Sequence, residues 1–176
     1  MQVDTTILLL PDAGPLITLA YADALDVLFK PGWQVHIVDM VLLEVTRNKT
    51  PTSEAIATWV KKNKLHVVPT KTHQHYQRTQ SASGGSLRKS NLGELAIQEA
   101  MNDFALQEPS PTGVFLFEDH KIARTGFLLP DNCRKVSTRA FLIFLEQKGW
   151  LTSAADVERK AIQNGRYFSQ LRFPPT

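Results

Sequence analysis

A chain of 176 residues with 43% hydrophobic and 21% charged residues is long enough to bury a sizeable core and has the balance of one soluble globular domain. Its single cysteine, Cys133, excludes an internal disulfide framework and a cysteine zinc cage, and suits a reducing compartment. The net charge of +3 says less than its distribution: residues 1–60 are net acidic, residues 61–92 carry seven bases and no acid, and residues 93–176 carry ten of each.

In chain order, the N-terminus has no basic n-region, and Pro11 and Asp12 break its apolar run. It does not read as a signal peptide. No stretch approaches the roughly 18 apolar residues of a membrane span, so no membrane partner is expected and the expected location is the cytoplasm. "TTILLL" predicts a continuous apolar strand buried on both faces. "PLITLAYADALDVLF" has helical spacing, with Leu16, Leu19, Ala20, Leu25 and Leu28 on one broad face. After "PGW", "QVHIVD" predicts a second strand and "MVLLEVTRN" a further helix. "SEAIATWVKKN" predicts a helix with Ser53 as its N-cap, and "KLHVVPT" a short third strand.

Residues 70–90, "TKTHQHYQRTQSASGGSLRKS", show no apolar period and predict a mobile loop or an insertion. "NLGELAIQEAMNDFALQ" predicts a helix burying Leu92, Leu95, Ala96, Ala100 and Phe104. "VFLF" is a fourth buried strand ending in Glu118 and Asp119, "HKIARTGFLL" reads as helical and "RKVS" as a short fifth strand. "TRAFLIFLEQKGW", preceded by Ser137 and Thr138 at its cap and stopped by Gly149, and "SAADVERKAIQNG", capped by Ser153 and closed by Gly165, complete the chain. Strands alternating with helices imply a mostly parallel sheet covered on both faces, in a single domain spanning residues 1–176.

Two carboxylates occupy matching contexts: "ILLLPD" and "VFLFED" each end an apolar strand in acid. In a parallel sheet both strand ends open on one edge, so Asp12 and Asp119 can converge; each could instead cap the following helix. Glu44 lies within "MVLLEVTR", where an exposed helix glutamate is the plain alternative. Glu94 stands three residues after Asn91 and could close a capping box with it. Four acids near the entrances of four elements would repel one another unless a cation sat among them. Hard ions such as Mg²⁺ and Mn²⁺ take such oxygen ligands and supply what phosphodiester cleavage needs. Arg88, Lys89, Lys121 and Arg124 could neutralise an RNA backbone, or form surface salt bridges. His73 and His75 have a spacing that could suit a metal, but isolated histidine pairs need further ligands.

With these residues in place, the sequence resembles a PIN domain, the fold of many toxin-type ribonucleases of bacteria and archaea often called VapC-like. "DAGPLITLA" stands where the family's first motif reads Asp-x-Ser-Pro-Leu-Ile, and "VDMVLLEV", "GELAIQEA", "LFEDHKIAR", "FLIFLEQKG" and "GRYFSQ" follow in family order. The resemblance implies a three-layer α/β/α fold around a five-stranded parallel sheet. It also implies that Asp12, Glu44, Glu94 and Asp119 bind Mg²⁺ or Mn²⁺ for cleavage of single-stranded RNA, with Asp119 fitting better than Glu118. Homodimers and, for toxins, a cognate antitoxin are further implications. Gly14 departs from the family's Ser or Thr, and the basic stretch before Asn91 is longer than expected.

The expected function is therefore a metal-dependent endoribonuclease, the toxin of a toxin–antitoxin pair. The alternative is an inactive PIN-like module that holds RNA or a protein through the same surface. A phosphatase of the haloacid-dehalogenase type also places an Asp after its first strand, but it needs a second Asp where Gly14 stands.

Overall fold

The computed structural model describes residues 5–83, 92–118 and 129–167 of the chain. Five apolar runs form one parallel sheet: β1 (Ile7–Pro11), β2 (Gln34–Val38), β3 (His66–Val68), β4 (Thr112–Phe117) and β5 (Cys133–Ser137). Their order across the sheet is β3-β2-β1-β4-β5. Leu8, Leu9 and Leu10 of β1 and Val114, Phe115, Leu116 and Phe117 of β4 are all buried. Strands that are apolar on consecutive positions need cover on both faces, and the helices supply it, giving the three-layer α/β/α arrangement.

Among the described residues there are seven α-helices: α1 (Ala13–Tyr21), α2 (Asp39–Thr46), α3 (Ser53–Lys62), α4 (Lys71–Ser83), α5 (Leu92–Ala105), α6 (Thr138–Gln147) and α7 (Ala154–Gln163). The chain builds β1, β2 and β3 outward in one direction, then crosses back to place β4 and β5 on the other side of β1. The reversal lies between β1 and β4, and the crevice beyond their carboxyl ends is the point where open α/β sheets take ligands. Register brings Pro11 beside Leu116, and the Asp12 N–H donates to the Leu116 carbonyl at 2.9 Å. Asp12 and Glu118 thus follow the two strands that flank the crevice.

Local rules place most helix ends. Ser137 Oγ accepts from Ala140 N at 2.9 Å and Ser153 Oγ from Asp156 N at 3.2 Å, so both predicted caps form. Gly149 and Gly165 take φ of 74° and 113° at the ends of α6 and α7, a region favourable to glycine. At α3 the cap falls one residue early, on Thr52. Ser53 instead exchanges hydrogen bonds with Thr50, each side chain accepting from the other's backbone N–H. The helical pattern of residues 15–29 divides at Asp23, whose φ of 52° ends α1; Leu25–Phe29 forms a separate 3₁₀ turn that still buries Leu25 and Leu28.

Two further expectations are corrected. Residues 71–83 form α4 rather than a mobile loop; 84–90, the rest of that stretch, lie outside the described residues, as does the helix expected after Asp119. The helix is anchored by polar groups that an apolar periodicity cannot reveal. Thr70 Oγ1 accepts from His73 N at 3.1 Å, and Glu99 of α5 accepts from Lys71 N at 2.8 Å and Thr72 N at 3.3 Å. These bonds satisfy amides that a helix start leaves without intrahelical partners, and the Glu99 charge faces the positive end of the helix dipole. Tyr76 packs on the core. In α5 the buried face is rotated from the predicted one: Ile97 and Met101 join Ala96, Ala100 and Phe104 inside, while Leu95 is 56% exposed.

His36 of β2 and His66 of β3 are register partners with ring centroids 4.8 Å apart. Burial, and secondarily the neighbouring His66, hold the His36 imidazole below its ordinary value of 6.5. The folded state therefore resists the proton that the unfolded chain accepts. Stability should be level above that value and fall as pH drops below it, until His36 protonates in the fold as well. His36→Gln should flatten this acid limb in urea melts run between about pH 5 and pH 8. An unchanged limb would exclude His36 as its source.

Candidate active site

Asp12 is fully buried and occupies the N-cap position of α1, with an extended backbone at φ −73° and ψ 175°. Its side chain makes no capping hydrogen bond. Helix capping therefore does not account for a carboxylate at this strand end.

Glu118, immediately beyond β4, is only 5% exposed. The Thr18 hydroxyl of α1 donates to its Oε1 at 2.6 Å, and Arg166 Nη2 lies 3.7 Å from the same oxygen. A Cβ added at Gly14 would sit 2.5 Å from Glu118 Cγ. The space that a serine or threonine would take at position 14 is thus filled by the Glu118 stem. This gives the departure at Gly14 a steric reason.

Glu44 is exposed on α2, but its Oε2 lies 2.8 Å from the place a Cβ would take on Gly93. It therefore reaches the first turn of α5, which also carries the partly buried Glu94. Gly93 admits the approach because it has no side chain. Two of the predicted acids thus come from facing helices to neighbouring positions. Asp119, Lys121, Arg124, Arg88 and Lys89 lie outside the described residues, as does Asn91, the proposed capping partner of Glu94.

Asp39 is an acid at the same sheet edge that sequence reasoning passed over. It accepts from Thr70 N at 2.8 Å, Thr70 Oγ1 at 2.7 Å and Met40 N at 2.7 Å, and its Oδ2 lies 3.4 Å from His73 Nδ1. It ties the end of β2 to the start of α4. The available signal was "HIVD", an apolar strand ending in acid just as at Asp12. His73 and His75 do not share a ligand direction, because residues two apart on a helix point roughly 200° apart around its axis. Cys133 is buried at the start of β5. Burial pushes its thiol up, against a smaller opposite effect of Arg134, which suits a packing role rather than a nucleophile.

Asp12, Glu44 and Glu94 offer only carboxylate oxygens, a donor set that suits a hard divalent cation. Among the described residues no three His, Cys, Asp or Glu side chains group as a metal site, and the fourth predicted acid is not among them. No helix among the described residues is long and apolar enough to cross a membrane.

Residues 8–106 match the protein family described as DUF3368, PIN domain. Among solved structures, the PIN domain of RRP44 from T. brucei aligns with a TM-score of 0.50 at 15% identity, covering 90% of this chain and 87% of that one; at such identity the likeness concerns the fold. No curated protein sequence matches the chain. PIN domains are generally nucleases, and their nucleases typically use divalent metals. With more than half of its length inside the family match and the five-stranded parallel fold in place, the chain belongs to the PIN domain family.

Proposed function

We propose that this protein is a divalent-metal-dependent endoribonuclease that cuts single-stranded RNA and acts as the toxin of a toxin–antitoxin pair. The observation that carries the nuclease reading is Asp12: a fully buried carboxylate at the topological switch point of a PIN fold, with no capping bond to explain it. The toxin role rests on the resemblance to VapC-like proteins, which also supports a cognate antitoxin and a homodimer as partners.

Asp12, Glu44, Glu94 and Asp119 would hold Mg²⁺ or Mn²⁺ through carboxylate oxygens. The bound ion supplies activation of water and stabilisation of charge on the phosphate. Glu44 or Glu94 takes the proton from the attacking water as the oxygen–phosphorus bond forms and the bond to the leaving oxygen breaks. The basic block of residues 61–92, with Arg88 and Lys89, and the bases Lys121 and Arg124 would supply the charge that neutralises an RNA backbone. An inactive module would be favoured by the hydroxyl that position 14 lacks relative to the family's Ser or Thr. The Glu118 stem occupies that space, so glycine there needs no loss of activity to explain it.

The test is incubation of the purified chain with a mixed single-stranded RNA pool in Mn²⁺ or Mg²⁺, with EDTA as the control. Cleavage in metal that stops with EDTA is the expected result. Intact RNA in the presence of folded protein with measured Mn²⁺ occupancy would overturn the reading.

A further inference from the structure

Glu118 follows β4 as Asp12 follows β1 but is not one of the predicted acids, and its surroundings are specific. Thr18 is fully buried and its hydroxyl has two engagements: it donates to Glu118 Oε1 at 2.6 Å and accepts from Arg166 Nε at 2.9 Å. Arg166 Nη2 closes the triangle at 3.7 Å from Glu118 Oε1. Both charged side chains are largely withdrawn from water, at 17% and 7% side-chain exposure. A buried carboxylate is tolerated only when paired and hydrogen-bonded, and here a hydroxyl and a guanidinium do both.

The three residues come from three places. Thr18 is in α1, Glu118 follows β4, and Arg166 follows α7. The last of these is held in place by its own backbone and by a neighbouring side chain, since Arg166 N donates to the Ala161 carbonyl at 2.9 Å and Asn164 Nδ2 donates to the Tyr21 carbonyl at 2.7 Å. The segment after α7 therefore grips α1 at both Tyr21 and Thr18, and through Thr18 it grips the end of β4. Gly14 completes the arrangement. A Cβ at 2.5 Å from Glu118 Cγ is closer than real contacts allow. The atom it would strike is in the middle of a tethered, buried side chain, not at a free tip.

We propose that Gly14, Thr18, Glu118 and Arg166 form a clasp through which the C-terminal segment positions the acid edge, with Glu118 as its positioning residue and Gly14 as the vacancy that lets it close. The functional half of this proposal rests on the nuclease reading; the clasp itself does not. Asp12 opens α1 and Asp119 directly follows Glu118 in sequence. Loosening the clasp therefore shifts the two strand ends relative to each other without removing a proposed ligand.

The experiment compares Gly14→Ala, Glu118→Ala, the double variant and Arg166→Met with the native full chain. Three readouts are taken: kcat and KM for Mn²⁺-dependent RNA cleavage, thermal melting, and hydrogen exchange of the segment from Asn164 to Tyr167. Gly14→Ala should lower kcat about tenfold with KM held, because misplacement by about an ångström is enough for such losses, and should speed exchange in that segment. In the Glu118→Ala background the same change should add less than about twofold, since the atom it strikes is gone. Arg166→Met, at the rim and safer for folding, should repeat the kcat loss and the faster exchange.

Equal costs of Gly14→Ala in both backgrounds would overturn the proposal. A raised KM with unchanged kcat in Arg166→Met would also overturn it, by making Arg166 an RNA contact. If the native chain does not cleave RNA, the nuclease reading fails separately. Coupling between positions 14 and 118 in melting and exchange then decides the clasp: coupled costs uphold it, additive costs reject it.

Discussion

Asp12→Asn is expected to lower metal-dependent RNA cleavage by at least about 100-fold, equivalent to roughly 2.7 kcal/mol of barrier. The substitution keeps the size and shape of the side chain and removes the negative charge that a hard cation requires. Its effect on folding should be small by comparison. The carboxylate accepts no capping hydrogen bond from the start of α1, and the backbone bond from Asp12 N to the Leu116 carbonyl is retained. Melting temperature should therefore stay within a few degrees of the native value while Mn²⁺ affinity, read by calorimetric titration, falls with the rate. A rate change below about threefold with folding intact would remove Asp12 from the site, since loss of a metal ligand costs far more.

Phe115→Ala is the largest expected loss of stability. Phe115 is fully buried in the interior strand β4, with Leu10 of β1 on one side in register and Lys135 of β5 on the other. Its ring lies over Gly113, where a Cβ would come within 2.8 Å of Cε2, and its centroid is 6.1 Å from that of Phe104. Gly113 and Phe104 thus border the slot that the Phe115 ring fills. Emptying it forfeits the ring's burial and leaves a cavity between sheet and α5 that the hydrogen-bonded strands cannot close, a cost of about 3–5 kcal/mol. For a chain of this size that corresponds to a fall in Tm of roughly 10 °C. Urea denaturation should show a lower midpoint with an unchanged slope. A loss under about 1 kcal/mol would mean that the slot collapses around the missing ring and that the packing of β4 on α5 is not rigid.

How far the site was legible in the chain depends on the range of the interaction behind each feature. Asp12 stands out because an apolar strand ending in acid is a local pattern, and the same pattern marks Asp39. Gly14 read as a departure with a missing hydroxyl, and nothing within ten residues could explain it. Its reason is the stem of Glu118, reached through a contact partner about a hundred positions away from α1. Residues 71–83 looked unstructured because their helix is secured by Thr70 and by Glu99 of another helix rather than by an apolar stripe. Leu95 is exposed although its spacing predicts the buried face of α5, because spacing alone leaves the rotation of a helix ambiguous when apolar residues occur on more than one side.

The sequence by itself determined most of the elements and their punctuation: five strands, the helices between them apart from α4, and the caps at Ser137 and Ser153. These depend on side-chain periodicity and on bonds spanning three or four residues, which the chain carries wherever it folds. Only the tertiary structure decided which groups meet. It set the strand order that puts Asp12 and Glu118 beside one crevice, the approach of Glu44 to Gly93, the tie from Asp39 to Thr70, and the closure of Arg166 over Thr18. Those contacts join segments distant along the chain, and their existence follows from how the layers stack rather than from any local preference.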